Sequence, residues 1–290
     1  MKIERIDCES MEFPEKLKNI PHPPKQIYVM GNAELLHQKS IAVVGSRKYT
    51  VYGKNVAMLV GNKLSVSGIP VVSGLAYGID AYAHEGTVAA NGKGIAVLGS
   101  GINKMTPYPN KPLMNKILDK GGLIVSEYEP NFQAQKWTYP ERNRIISGLS
   151  EGVIVIEANY NSGALITAQC ANEQGRTVYA VPGNINSQFS MGSNLLIRDG
   201  AVPLIIIDDV IRDIGRFIPI EDVIKVALDE DEIEILEVVK MFNGVSSDKL
   251  ASILGKSVGH INSIVTILEI KGIVETYSGK IHLATEYNSC

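Results

Sequence analysis

Cysteine is scarce in this 290-residue chain. Cys8, Cys170 and Cys290 are far apart, odd in number and not arranged as CxxC. That excludes a disulfide framework and a structural zinc site, and it suits a reducing cytoplasm. Apolar runs of membrane-spanning length are missing, and Met1-Lys2-Ile3-Glu4-Arg5 offers no signal-peptide core. The signatures GxGxxG, GxxxxGK[ST] and HExxH are absent as well. No dinucleotide, metal or other cofactor is therefore expected, and no catalytic residue is assigned. Nor is there a large excess of one charge, the net charge being −3. Its distribution is uneven: residues 221–290 hold 6 Lys, no Arg and 12 acidic residues, a balance of −6 that leaves +3 on the rest. A polyanion should favour the first part of the chain and avoid the second.

What is there is an ordinary globular composition, 45% hydrophobic and 20% charged, with seven short apolar runs. They are Ile41–Val44, Ile69–Val72, Gly94–Leu98, Leu123–Val125, Val153–Ile156, Val178–Val181 and Pro203–Ile207. Continuous runs of this length, alternating with helical stretches such as Tyr49–Ser67 and Ala164–Gln174, predict buried parallel strands. In the first of those helices Val56, Leu59, Val60 and Leu64 read as the apolar face. The fold class is α/β, an extended Rossmann-like, mostly parallel, doubly wound sheet over residues 36–220. Residues 1–35, with Pro14, Pro21, Pro23 and Pro24, read as a short packed extension. Three helices (Glu232–Met241, Ser247–Leu254, Val258–Lys271) and a hairpin turning at Ser278-Gly279 predict a small winged-helix-like domain over 221–290. The acidic run Asp229–Glu232 marks its boundary.

In parallel sheets ligands bind at the carboxyl ends of the strands. Gly45-Ser46-Arg47 follows the first run, where glycine admits a ligand to the backbone, a helix N-terminus offers free N–H groups and Arg adds a donor fork. A tight turn with an exposed Arg is the alternative. Ser73 and Gly74 begin a second glycine-spaced loop suited to phosphate, and Ser162-Gly163 opens a third anion site. Asp80 reads as a helix cap or an orienting partner for a donor rather than a general base. His84, with no second ligand at metal spacing, reads as packed. Pro140 is a natural first residue of a helix, which puts Arg142 and Arg144 in its first turn, where cations are disfavoured. Two guanidinium groups there imply an anion or a buried acid. Lys136, Trp137 and Tyr139 just upstream supply a cation and two stacking faces, the combination that binds single strands. Either aromatic could instead fill the core; Tyr139 is the better stacking candidate. Asn143 reads as turned inward, bonded to a neighbouring loop. Glu157 is a lone carboxylate at a strand end.

Taken in order, these loops resemble the DNA-processing protein A family (DprA, also called Smf). The resemblance rests on Val44-Gly45-Ser46-Arg47, Ser73-Gly74-Leu75-Ala76-Tyr77-Gly78-Ile79-Asp80, Val97-Leu98-Gly99-Ser100-Gly101 and Tyr139-Pro140-Glu141-Arg142-Asn143-Arg144-Ile145-Ile146. Ser162-Gly163-Ala164-Leu165-Ile166-Thr167-Ala168 and Leu196-Ile197-Arg198-Asp199-Gly200-Ala201 continue it. It covers roughly residues 27–210. The resemblance implies a cytoplasmic homodimer, joined through the Rossmann domain, that binds single-stranded DNA without cutting it. It also implies protection of incoming strands and help in loading RecA recombinase during natural transformation. The family's strand pocket maps onto Gly45, Ser46 and Arg47, with Lys136 as phosphate-binding lysine and Tyr139 as stacking aromatic where Phe is more usual. A more distant resemblance, to lysine-decarboxylase-like proteins that cleave nucleoside monophosphates, would make Glu157 or Glu173 a catalytic carboxylate. A third possibility, a duplex reader in the C-terminal module, has only His260 and Asn262 to read base edges. Packing against the first domain or a protein partner is the better reading of that module.

Overall fold

A computed structural model describes residues 1–215, 229–242, 244–270, 273–277 and 279–283. The expected boundary at 220/221, Lys271, Ser278 and Cys290 lie outside the described residues. The chain divides into two compact units, Met1–Phe217 and Ile218–Cys290.

The first unit runs β1 (Glu4–Asp7), α1 (Glu15–Lys18), β2 (Gln26–Gly31), β3 (Ile41–Val44), α2 (Val51–Val66), β4 (Val71–Ser73), α3 (Ile79–Ala89) and β5 (Gly94–Leu98). It continues with α4 (Lys111–Asp119), β6 (Leu123–Ser126), α5 (Thr138–Gly148), β7 (Gly152–Val155), α6 (Gly163–Glu173), β8 (Thr177–Ala180), α7 (Met191–Arg198), β9 (Val202–Pro203) and α8 (Ile207–Asp213). All nine strands form one sheet, ordered β1-β2-β6-β5-β4-β3-β7-β8-β9. From β6 to β9 every pairing is parallel, whereas β1–β2 and β2–β6 are antiparallel.

Strand pleating sends alternate residues to opposite faces. On β3, Ile41 and Val43 meet Ala57, Val60 and Leu64 of α2, while Ala42 and Val44 meet α5 and α6 through Ile145, Ile146, Ala164 and Ala168. Two-sided burial is why the strands read as unbroken Val/Ile/Leu runs. The winding reverses at β3: β4, β5 and β6 lie on one side and β7, β8 and β9 on the other. Loops leaving β3 and β7 diverge there, opening a crevice at the strands' carboxyl ends.

Four expectations need correction. Residues 1–35 are more than a packed extension, because β2 pairs antiparallel with β6 and β1 with β2; β1 buries only Ile6, and the Ile27–Met30 run of β2 directly follows the Pro-rich lead-in. Pro203–Ile207 is not a strand throughout: β9 ends at Pro203 and Ile207 starts α8. Leu59 faces outward on α2, 54% exposed, because Gly61 packs against α3 and turns the helix's small-residue side inward. Helix α5 begins at Thr138, so Pro140 is its third residue rather than its first.

The second unit contains α9 (Glu230–Met241), α10 (Ser247–Leu254), α11 (Val258–Ile270) and a hairpin of β10 (Val274–Tyr277) and β11 (Lys280–Leu283). Its own core joins Ile235, Leu236, Val239, Leu250, Ile261, Leu268 and Ile281. The acidic run Asp229–Glu232 starts a helix. Asp229 caps α9 by accepting from Glu232 N at 2.8 Å, and Glu232 Oε2 accepts from Asp229 N at 2.9 Å. This reciprocal pair satisfies two helix-end donors.

Candidate nucleic-acid interface

A cavity of about 540 Å³ lies at the crevice where the winding reverses. Gly45, Ser46, Arg47 and Lys48 come to it from β3, Lys136, Tyr139, Arg142 and Asn143 from the start of α5, and Ser162, Gly163 and Thr167 from α6. Of the residues predicted for phosphate and strand binding, the fold therefore gathers Gly45, Ser46, Arg47, Lys136, Tyr139, Arg142, Ser162 and Gly163.

The β3 turn is held from two sides. Ser46 N donates to Glu157 O at 2.7 Å, and Ile79 N donates to Ser46 O at 3.3 Å. A Cβ on Gly45 would come within 2.7 Å of the Ile79 side chain, so close approach of α3 requires glycine there. Arg47 is left exposed, its guanidinium 5.3 Å from the Tyr139 ring centroid. Tyr139 is held by a 3.0 Å hydrogen bond between its hydroxyl and Thr106 Oγ1. Thr138 Oγ1 donates to Gly99 O at 2.5 Å, fixing the turn that presents exposed Lys136. Asn143 Nδ2 donates to Gly163 O at 3.1 Å and ties α5 to the entry of α6. Ser162 caps α6 by accepting from Ala164 N at 3.3 Å, so that helix N-terminus faces the cavity with the positive end of its dipole.

Beneath this rim lie two buried, opposite charges. Asp80 is 6% exposed and accepts from Gly74 N at 3.1 Å, and Arg142, 5% exposed, lies near enough for each charge to act on the other. Arg142 Nη1 donates to Val97 O at 2.5 Å. Burial raises the Asp80 pKa, opposed by Arg142 and the amides of Gly45, Gly74 and Ala76. Burial likewise lowers the Arg142 pKa, opposed by Asp80 and reinforced by the charge of Arg47. With α5 starting at Thr138, Arg142 is its fifth residue and lies beyond the first turn, and the acid whose charge opposes its deprotonation is Asp80.

Three predicted contacts lie elsewhere. Ser73 is fully buried and its hydroxyl donates to Val43 O at 2.6 Å, which occupies it within the fold. Gly74 does not line the cavity; a Cβ there would strike the Arg142 guanidinium, so glycine makes room for that side chain. Arg144, two residues on from Arg142 and therefore on another side of α5, pairs with Glu127 at 2.7 Å. Spacing put both guanidiniums in a first turn, whereas they are the fifth and seventh residues of α5 and part company. Lys48, Asn159, Asn161 and Thr167 line the cavity and escaped the sequence reading. Asn159 and Asn161 follow β7 as Gly45–Arg47 follow β3, a positional signal that could have found them.

The carboxylates offered for hydrolysis are engaged or remote. Glu157 is 2% exposed and accepts from Thr50 N at 2.9 Å and Thr50 Oγ1 at 2.5 Å, clamping the start of α2. Glu173 ends α6, about 15 Å of helix rise from Gly163, and accepts from Gln169. The spacing Gly-x-Ser-x-Gly does occur at Gly148–Gly152, but there a helix leads into a strand and Ser150 Oγ donates to Ile146 O. Gly255–Gly259 repeats the spacing between two helices. A nucleophile elbow needs a strand-to-helix turn, so neither serves. Among the described residues no group of His, Cys, Asp and Glu could hold a metal, and no helix is long and apolar enough to cross a membrane.

The chain is similar to Protein Smf of Escherichia coli, 42% identical over 197 residues that cover 68% of this chain and 53% of that protein. It spans only about half of that relative's length. The X-ray structure of DNA processing protein A from Streptococcus pneumoniae superposes with a TM-score of 0.68 at 38% identity, covering 73% of this chain and 75% of that one. The Helicobacter pylori protein, whose structure concerns its single-stranded DNA binding mode, gives 0.67 at 28% identity over 74% of this chain and 96% of that one. Residues 4–215, which contain the whole sheet and every cavity-lining residue, match the DNA recombination-mediator protein A family, and the chain belongs to that family.

Proposed function

We propose that this chain is a non-enzymatic, single-stranded DNA-binding recombination mediator of the cytoplasm that protects incoming strands and helps load RecA recombinase in natural transformation. The observation that carries the reading is the unneutralised charge at the cavity. Among the described residues Arg47, Lys48 and Lys136 form no ion pair, and they flank the Tyr139 ring and the N-terminus of α6. Cations beside a stacking face suit a single strand, whose bases are free to splay, better than a duplex, whose bases are hidden. The single-strand binding of the Helicobacter pylori relative supports the same ligand. Glu157, consumed in holding α2, argues against base-releasing hydrolysis. Exposed Val202, Ile205 and Ile206 beside β9 supply an apolar patch for the homodimer. Residues 221–290 act as a winged-helix-like appendage that does not bind the strand.

Fluorescence anisotropy with single- and double-stranded oligonucleotides tests this. Arg47→Ala and Lys136→Ala should each weaken single-strand binding roughly tenfold or more, as expected for loss of a charge-assisted hydrogen bond. Each should also flatten the salt dependence by about 0.7 in the log–log slope. Equal affinity of both variants and the parent would overturn the pocket assignment.

A further inference from the structure

The loop from β6 to α5 holds an aromatic assembly that the cavity does not use. The Tyr128 and Phe132 rings stack with centroids 4.8 Å apart and planes 15° from parallel. Trp137 stands edge-on to both, at 6.0 and 6.3 Å. It is the single tryptophan of the chain and is 53% exposed. The loop is pinned to its neighbour: Gly101 N donates to Phe132 O and Asn103 N to Pro130 O, both at 2.9 Å, and Asn103 Nδ2 donates to Asn131 Oδ1 at 2.9 Å. A half-exposed indole backed by two packed rings on a braced loop is a rigid apolar face, not a floppy side chain.

Its position and charge setting indicate an occupant. Trp137 lies between Lys136 and Thr138, two residues before Tyr139, so the assembly continues the cavity rim along the chain. Its acidic neighbours would repel phosphates: Glu141 accepts from the Tyr128 hydroxyl at 3.3 Å, Glu127 is held by Arg144, and Glu129 is exposed. Uncharged base faces meet no such penalty, and Lys136 supplies the cation for the backbone beside them. We infer that Trp137, backed by Tyr128 and Phe132, is a second stacking station, taking bases of a single strand after it leaves the cavity past Tyr139. The inference rests on the reading of the cavity as a single-strand site.

Because there is one tryptophan, intrinsic fluorescence reports this indole alone. The full chain is titrated with oligothymidylates of increasing length, in parallel with Trp137→Ala, Trp137→Phe and Arg47→Ala. Strands long enough to pass the cavity should quench the tryptophan, whereas the shortest that bind should not. Trp137→Ala should weaken long strands about five- to tenfold and leave the shortest unchanged, with Trp137→Phe restoring most of the loss. If Arg47→Ala loses binding at every length while Trp137→Ala matches the parent and no quenching occurs, the station is overturned and the cavity stands. The patch is then a surface for a protein partner. Parent-like binding by Arg47→Ala overturns the cavity reading and the station with it.

Discussion

Cations at the crevice of the first unit and cations near the start of α11 in the second meet opposite fates. At the crevice, Arg47 and Lys136 are exposed, whereas Arg142 is buried beneath them within reach of the Asp80 charge. In the second unit Lys256 is held at 2.6 Å by both Asp231 and Glu234, and His260 lies 2.8 Å from Asp231. Both regions place basic residues near a helix N-terminus. Only the first leaves them free for an outside anion; the second has already supplied its own. Counting basic residues would rank the two regions closer than their partners do, and the partners decide where a polyanion can gain.

The sharpest way to break this comparison is to remove the buried cation. If Arg142 were one more strand-binding group, Arg142→Met would lower affinity and leave folding intact. The burial of Asp80 predicts otherwise, because an uncompensated buried charge remains. Urea denaturation should show the first unit destabilised by about 3–5 kcal/mol. Arg47→Ala, at an exposed site, should change stability by less than about 0.5 kcal/mol. Similar stabilities for the two variants would mean that buried and free cations are not distinct.

A second contrast is between histidines. His84 is fully buried on α3, and burial lowers its pKa from 6.5 to about 4, opposed by a backbone contact to Ser73. The fold therefore favours the neutral ring. Its stability contribution is complete above pH 6.5 and is lost as pH falls through about 4, with a full extent of about 3 kcal/mol. Thermal unfolding followed between pH 7 and 4 should show this acid decline, and His84→Gln should remove it. A variant that declines as steeply as the parent would assign the acid sensitivity to other groups. His260, by contrast, is half exposed beside Asp231.

Much of this was legible in the sequence, for a physical reason. Strands buried on both faces leave unbroken apolar runs; six of the seven runs fall mainly on strands of the parallel part of the sheet, and the seventh meets β9 only at Pro203. The ordered loop motifs located the crevice. The strands β1 and β2 were not legible, because β1 buries only Ile6 and the single apolar run of β2 follows directly on a Pro-rich lead-in. Sequence order also cannot say which of two nearby guanidiniums turns inward. Arg142 is buried within reach of the charge of Asp80, sixty-two positions earlier, and Arg144 pairs with Glu127, and both arrangements are made by tertiary packing. Gly74 shows the same limit: it reads as a phosphate-loop glycine, yet its missing Cβ makes room for a protein side chain.

The smallest effect tests the second unit directly. Asp231→Asn combined with Glu234→Gln removes the partners of Lys256 and His260 without removing the cations. Exposed ion pairs contribute little to stability, so the melting temperature should scarcely move. What should change is the response to polyanions. With Lys256 released, the double variant should bind oligonucleotides slightly more tightly at low salt, through contacts that disappear as salt is raised. The gain should be the same for single strands and duplexes, because a free lysine with no stacking face or built crevice reads only phosphate. It should also persist when Arg47→Ala is added, since the released cations lie in a different unit from the crevice. A double variant with unchanged low-salt affinity would show that something besides internal pairing, such as the −6 balance of residues 221–290, keeps the second unit from a strand.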